Sequence, residues 1–180
     1  MNIKMLIRTQ SLMTLAGGMI YPYYLLFLKN LGNSFSKYGL AFAVFTLSSA
    51  AASQLFARYL DERGKQLMLA SAAGMMIAML LFPWGPSYGW VILLQLFMGV
   101  CNAMQRMSEK SLIADGTIPG DRGSAIGNYH FWTTAASAGA IIAGGYLIDF
   151  LTINALFYAS AFVYGCCALA IWRSGSKQAK

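Results

Sequence analysis

The sequence predicts an all-α membrane protein, a bundle of six transmembrane helices, and three observations predict it. Between Lys65 and Arg106 the chain runs 40 residues without a charge, broken only by the turn Pro83-Trp84-Gly85-Pro86-Ser87-Tyr88-Gly89. A bilayer core roughly 30 Å thick needs about 20 apolar residues per spanning helix, so this interval holds two spans and one tight loop. The composition agrees: 58% of residues are hydrophobic and 11% charged, where soluble domains carry about 25% charged residues, and the mean hydropathy is +0.55. Lipid offers backbone N–H and C=O groups no partner, so unbroken helices are expected. The short alternating segments of a membrane barrel are absent.

The spans follow in order, as one domain covering residues 1–180. The first is expected at about 9–28, behind Lys4 and Arg8. It is too long for a signal peptide, carries Tyr21-Pro22-Tyr23-Tyr24, and has no small-residue cleavage site before Lys29. The second, about 38–57, stops at Arg58. The third and fourth, about 66–83 and 90–114, flank the Pro/Gly turn. The fifth, about 123–146, opens after Arg122, and the sixth, about 151–172, ends at Arg173 before a short polar tail.

Charge sets the orientation. Of 13 basic residues only Lys29 and Lys37 fall on one side; the others, including Arg58, Arg63, Lys65, Lys110 and Arg122, fall on the opposite side or in the adjoining half-membrane. The positive-inside rule then puts both termini in the cytoplasm. The net charge of +7 and pI near 9.5 reflect topology and lipid headgroups, not nucleic-acid binding. Cys101, Cys166 and Cys167 all lie inside spans, so they carry no disulfide framework and report nothing about redox compartment.

The loop between spans two and three reads Ala57-Arg58-Tyr59-Leu60-Asp61-Glu62-Arg63-Gly64-Lys65. Alone, it is either a solvated turn with positive-inside residues or a built cytoplasmic hairpin: an aspartate, a glycine turn and a basic residue opening the next helix. In this position it resembles the G-x-x-x-D-R-x-G-R-R signature of the major facilitator superfamily. Asp61, Gly64 and Lys65 match, while Ala57, Glu62 and Gln66 depart from it. The exit of span one through Tyr21-Pro22-Tyr23-Tyr24 to Leu31-Gly32 is similar to that family's. So are Asp115 at the end of span four and Arg122-Gly123-Ser124-Ala125-Ile126-Gly127 at the start of span five.

Two departures concern drug/proton antiporters of that family. Ala136, Ala140 and Ile141 replace the first Gly, second Gly and Pro of the helix-five pattern G-x-x-x-G-P-x-x-G-G, leaving Gly144-Gly145. Gln95 stands where a helix-four arginine is often found. The resemblance implies half of a twelve-helix carrier, the amino-terminal six, with the loop of Asp61, Arg63, Gly64 and Lys65 acting in cytoplasmic gating. It also implies that Asp61 caps a helix of the other half, at the positive end of its dipole.

Polar residues in lipid-embedded helices face other helices or a water-filled path. Gln95, Gly99, Asn102, Arg106 and Glu109 recur on one face of span four, and Gln10, Thr14, Gly17, Tyr21 and Tyr24 on one face of span one. His130, Thr134 and Ser137 mark span five. Span three shows only Ser71, which suits a lipid-facing helix. The resemblance implies that helices one and four line the central path. Thr46, Ser49, Ser53 and Ser137 read better as packing contacts.

Arg106 lies roughly 13 Å from the cytoplasmic end of its helix and His130 about 12 Å along the antiparallel neighbour, so they share a depth. Glu109, three residues from Arg106, is close enough to pair. Two readings stand: a structural Arg106–Glu109 pair, or a substrate- or proton-handling cluster of Arg106, Glu109 and His130, a residue type that titrates near neutral pH.

The expected function is transmembrane transport of a small polar solute by alternating access, in the cell membrane, as one half of a secondary carrier. Expected partners are the lipid bilayer, the small-molecule solute, and a homodimer mate or second six-helix half. Arg106 favours a solute with an anionic group. The rival reading is a truncated or accessory membrane protein that assembles without transporting alone. There is no nucleotide-binding P-loop or metal-ligand pattern, and no cofactor is expected. Ser124 and His130 sit about 240° apart on one helix, which disfavours a serine hydrolase and an enzyme generally.

Overall fold

The computed structural model describes residues 3–24, 27, 34–85, 87–117 and 120–176, the side chains of residues 61, 175 and 176 excepted. Lys29, the Leu31-Gly32 exit of span one, Lys177, Lys180 and the Asp61 side chain therefore lie outside the described residues. The described elements are helical: α1 (Ile3–Gly18), α2 (Phe35–Ala57), α3 (Leu60–Leu81), a 3-10 turn (Phe82–Trp84), α4 (Tyr88–Asp115), α5 (Arg122–Phe150) and α6 (Ile153–Ser176). Five stretches, within α2, α3 with its 3-10 turn, α4, α5 and α6, are long and apolar enough to cross a membrane.

The first helix is not the unbroken span that the sequence suggests. It stops at Gly18, and turns run from Met19 to Tyr23. Pro22 has no N–H to offer the Gly18 carbonyl, and its ring crowds that oxygen. The chain responds with shorter bonds: the Ile20 N–H donates to the Gly17 carbonyl at 3.0 Å and the Tyr23 N–H to the Ile20 carbonyl at 2.9 Å. The α-helical pattern resumes where the Phe27 N–H donates to the Tyr23 carbonyl at 3.3 Å.

The loop after α2 also departs from expectation. The turn falls on Arg58 and Tyr59, and α3 has already begun at Leu60, with a kink at Arg63 (φ −126°, ψ 17°). Gly64 is no turn glycine: it is buried inside α3, and a Cβ there would make only an ordinary contact with the Ser111 hydroxyl of α4. Neither backbone conformation nor close approach demands glycine at that point. Left-handed backbone occurs instead at Gly120, with φ 109°, just before α5; only a residue without Cβ adopts that cheaply.

The Pro/Gly turn between α3 and α4 is built from side chains. The Ser87 hydroxyl caps α4 by accepting the Trp90 N–H at 3.2 Å, and Trp90 Nε1–H donates to the Leu81 carbonyl at 3.0 Å. The indole lies where a side chain on Gly85 would go. At the same end of the bundle Tyr24, Phe27, Phe82 and Phe157 form an aromatic plug, with Phe82 and Phe157 stacked at 4.7 Å.

Packing runs in an open sequence: α2 on α4, α4 on α3, α3 on α6, α6 on α1 and α1 on α5. The two ends of that sequence, α2 and α5, leave a side open. α3, expected to face lipid, is exposed on one side and packed against α4 and α6 on the other. Met68, Ala72, Met75 and Met79 are buried against its neighbours, and only its Ile77, Leu80 and Leu81 side is exposed. An apolar stripe that excludes polar groups serves a helix–helix contact as well as a lipid contact, so the sequence pattern does not separate them.

Candidate functional site

A cleft of about 710 Å³ occupies the open side between α2 and α5. Small-molecule sites span about 300–1,000 Å³. Its floor is α4, which presents Asn102, Gln105, Arg106 and Glu109; α5 supplies Tyr129, His130, Thr133, Thr134 and Ser137. From α1 come Met13, Thr14, Gly17, Gly18, with Tyr21 just beyond the helix end. α2 adds Tyr38, Phe42 and Phe45, and single residues, Met75 and Tyr164, reach in from α3 and α6.

The sequence-predicted residues divide. Arg106, Glu109, His130, Asn102 and Tyr21 share this one cleft. Gln10 stands behind it, fully buried, accepting from Gln105 Nε2 at 2.9 Å. Gln95 is buried higher in α4, beside a void of about 20 Å³ that Tyr24 also lines; the buried Tyr24 hydroxyl completes no hydrogen bond there. Gly99 turns away from the cleft toward α2, against the Ser48 side chain and the Phe45 carbonyl. A stripe repeating every 3.5 residues drifts about 20° per heptad around a 3.6-residue helix, which separates Gln95 from Glu109 on the same nominal face. The loop residues Arg63, Gly64 and Lys65 contribute nothing to the cleft lining.

Arg106 is exposed into the cleft and, among the described residues, has no ion pair with Glu109. Tyr21, Tyr129 and Tyr164 line the same cleft. Glu109 instead neighbours the Tyr129 hydroxyl. The structural-pair reading of Arg106 and Glu109 is therefore not what the geometry presents.

Asn102 Nδ2 donates to Ser49 Oγ at 3.0 Å, which fixes the floor to α2 and makes Ser49 the packing contact expected. Ser53 and Thr46 differ from that expectation, because their hydroxyls return to carbonyls of their own helix. Ser137 does both: it packs against α1 at Gly18 and also lines the cleft. Thr133 Oγ1 donates to the Tyr129 carbonyl at 2.9 Å.

Tyr129, Tyr164, Gln105 and the aromatic residues of α2 were not singled out from the sequence. Tyr38, Phe42 and Phe45 recur at helical spacing on one face of α2, a pattern that apolar packing imitates. Tyr164 sits in a largely apolar helix, one turn after Ser160 on the same buried face.

Comparison with known proteins accords with this architecture. A sequence profile described as Major Facilitator Superfamily matches residues 8–179. The chain belongs to that superfamily, a family of membrane transporters, and is an integral membrane protein. It is 41% identical over 165 residues to the "Uncharacterized MFS-type transporter YitZ" of Bacillus subtilis, covering 91% of this chain and 100% of that protein. It is 31% identical to "Multidrug resistance protein MdtG" of Dickeya zeae and 30% identical to that of Proteus mirabilis. These alignments cover 86% and 83% of this chain but only 39% and 38% of those proteins, so the chain spans well under half their length.

Proposed function

We propose that the chain forms one six-helix bundle of a secondary carrier that moves a small polar solute by alternating access. One observation carries this reading: a cleft of about 710 Å³ within the apolar bundle holds an arginine with no carboxylate partner among the described residues. A charge at the centre of a spanning helix costs at least about 2.5–3.5 kcal/mol on insertion scales. Such a residue is retained where water or a ligand meets it.

In this reading the chain lies in the cell membrane with both termini inside. A second six-helix bundle closes the open side, supplied by a second copy, a separate polypeptide or a continuation of this one. Rocking of the two bundles then exposes the cleft alternately to each side. Asp61, Arg63, Gly64 and Lys65, at the start of α3, would act at the cytoplasmic closure. No catalysis or cofactor enters the scheme.

The test is solute flux into proteoliposomes holding the purified chain. The panel includes small carboxylates, neutral polar solutes and drugs, the last because the MdtG relatives are named multidrug resistance proteins. Saturable uptake above empty vesicles supports the reading. A second reading, an accessory protein that pairs without transporting, is favoured by the open side of the bundle. It predicts stable complexes with no flux.

A further inference from the structure

We propose that the cleft selects a planar aromatic anion, such as an aromatic carboxylate, with its ring on α2 and its charge at Arg106. The proposal rests on the carrier reading only in taking the cleft as a ligand site. Its two poles are chemically distinct.

The first pole is an aromatic wall. Tyr38 and Phe42 stack at 6.4 Å with planes 12° apart, and Phe42 and Phe45 stack at 5.9 Å with planes 28° apart. Tyr21 meets Phe45 edge-on at 6.2 Å. These rings are not simply core. Phe42 is 41% exposed and Tyr21 42% exposed, and both line the cleft. Aromatic rings favour offset-stacked or edge-to-face partners over aliphatic ones of equal size. A flat ring entering here meets both a ring face and a ring edge.

The second pole is cationic. Arg106 extends into the cleft without an ion pair among the described residues, alongside Tyr21, Tyr129 and Tyr164. Guanidinium presents parallel N–H groups that match a carboxylate in two bonds. Glu109, the acidic group of the cleft, already neighbours the Tyr129 hydroxyl. A cationic aromatic would therefore meet Arg106 unfavourably before it gained Glu109. The polar side chains Thr134 and Ser137 of α5 line the same cleft, where hydrogen-bonding substituents of a ligand would find partners.

The experiment measures equilibrium binding to the full chain in lipid nanodiscs with four probes: benzoate, cyclohexanecarboxylate, acetate and benzylamine. Benzoate is expected to bind at least fivefold more tightly than cyclohexanecarboxylate, and more tightly still than acetate, with benzylamine weakest. Arg106→Gln should cost benzoate tenfold or more, with Arg106→Lys intermediate. Phe42→Leu should remove the preference for benzoate over cyclohexanecarboxylate while leaving carboxylate binding in place. The ligand series on the unaltered chain needs no variant to fold. Benzylamine binding as tightly as benzoate, or equal affinity for the aromatic and alicyclic carboxylates, overturns the proposal. Flux of acetate with no aromatic preference overturns it and leaves transport standing; benzoate binding with this ranking and no flux supports it and removes transport.

Discussion

Gln105 of α4 donates through Nε2 to Oε1 of Gln10 on α1, at 2.9 Å, immediately behind the cleft floor. Gln10 is fully buried and its own Nε2 has no partner. The two amides join α1 to α4 asymmetrically: one end of Gln105 reaches the cleft, whereas Gln10 reaches nothing but protein.

That asymmetry predicts unequal mutational costs. Gln105→Leu strands the whole Gln10 amide, and an unsatisfied buried polar group costs about 1–3 kcal/mol. Gln10→Met removes the orphaned donor and leaves Gln105 access to the cleft, so its cost should stay within the roughly 0.6 kcal/mol typical of an interhelical hydrogen bond in a membrane. Thermal denaturation of the two variants in the same detergent checks the order. Equal losses would show that the pair is not arranged this way.

Helix proximity at Gly99 gives a second prediction. A Cβ there would run into the Ser48 side chain and the Phe45 carbonyl, and a backbone atom cannot swing aside. Gly99→Ala should push α2 from α4 at about 1–3 kcal/mol, the usual range for overpacking, and loosen the Asn102–Ser49 bond. Gly127→Ala, whose Cβ meets nothing within 4 Å, is the control and should not lower thermal stability.

How much of this was legible beforehand follows from which signals survive in one dimension. Charge-free intervals report helices in lipid, so the all-helical bundle and its kinship were readable from the stretch between Lys65 and Arg106 and from the loop at Asp61. Helical rise suggested that Arg106 and His130 share a depth, and both line one cleft. Facing was not readable. Gln10 and Gln95 belong to the stripes that contain Thr14 and Arg106, yet the drift of each stripe turns them into the protein. The aromatic wall on α2 was invisible because rings at helical spacing look the same whether they meet protein, lipid or ligand.

Topology gives a third prediction. In a chain lacking Cys101, Cys166 and Cys167, cysteines replacing the exposed Ser34 and Gly89 should react with impermeant maleimides in intact cells. Cysteines replacing the exposed Glu62 and Ser124 should react only after permeabilisation. Gly64 is a poor probe because it is buried. Labelling of Glu62→Cys in intact cells would reverse the orientation.

Pairing follows from the open side. Polar groups of the cleft facing lipid would each cost several kcal/mol, so a second bundle should cover them. Single cysteines at Leu47 on α2 and Ile142 on α5, both exposed, should cross-link to a partner in native membranes. Ile77→Cys, on the exposed side of α3, should not. Cross-linking confined to Ile77→Cys would put the interface on the wrong face.

Accessibility of Thr134 tests alternating access most directly. This residue lines the cleft from α5 and is exposed in the isolated bundle. In a cysteine-free background, Thr134→Cys in membranes of defined orientation should react with an impermeant reagent applied from either side. A transported solute should change the rate on each side in opposite directions. Reaction from one side alone, at a rate no solute alters, would mean a fixed cavity and would contradict the carrier account.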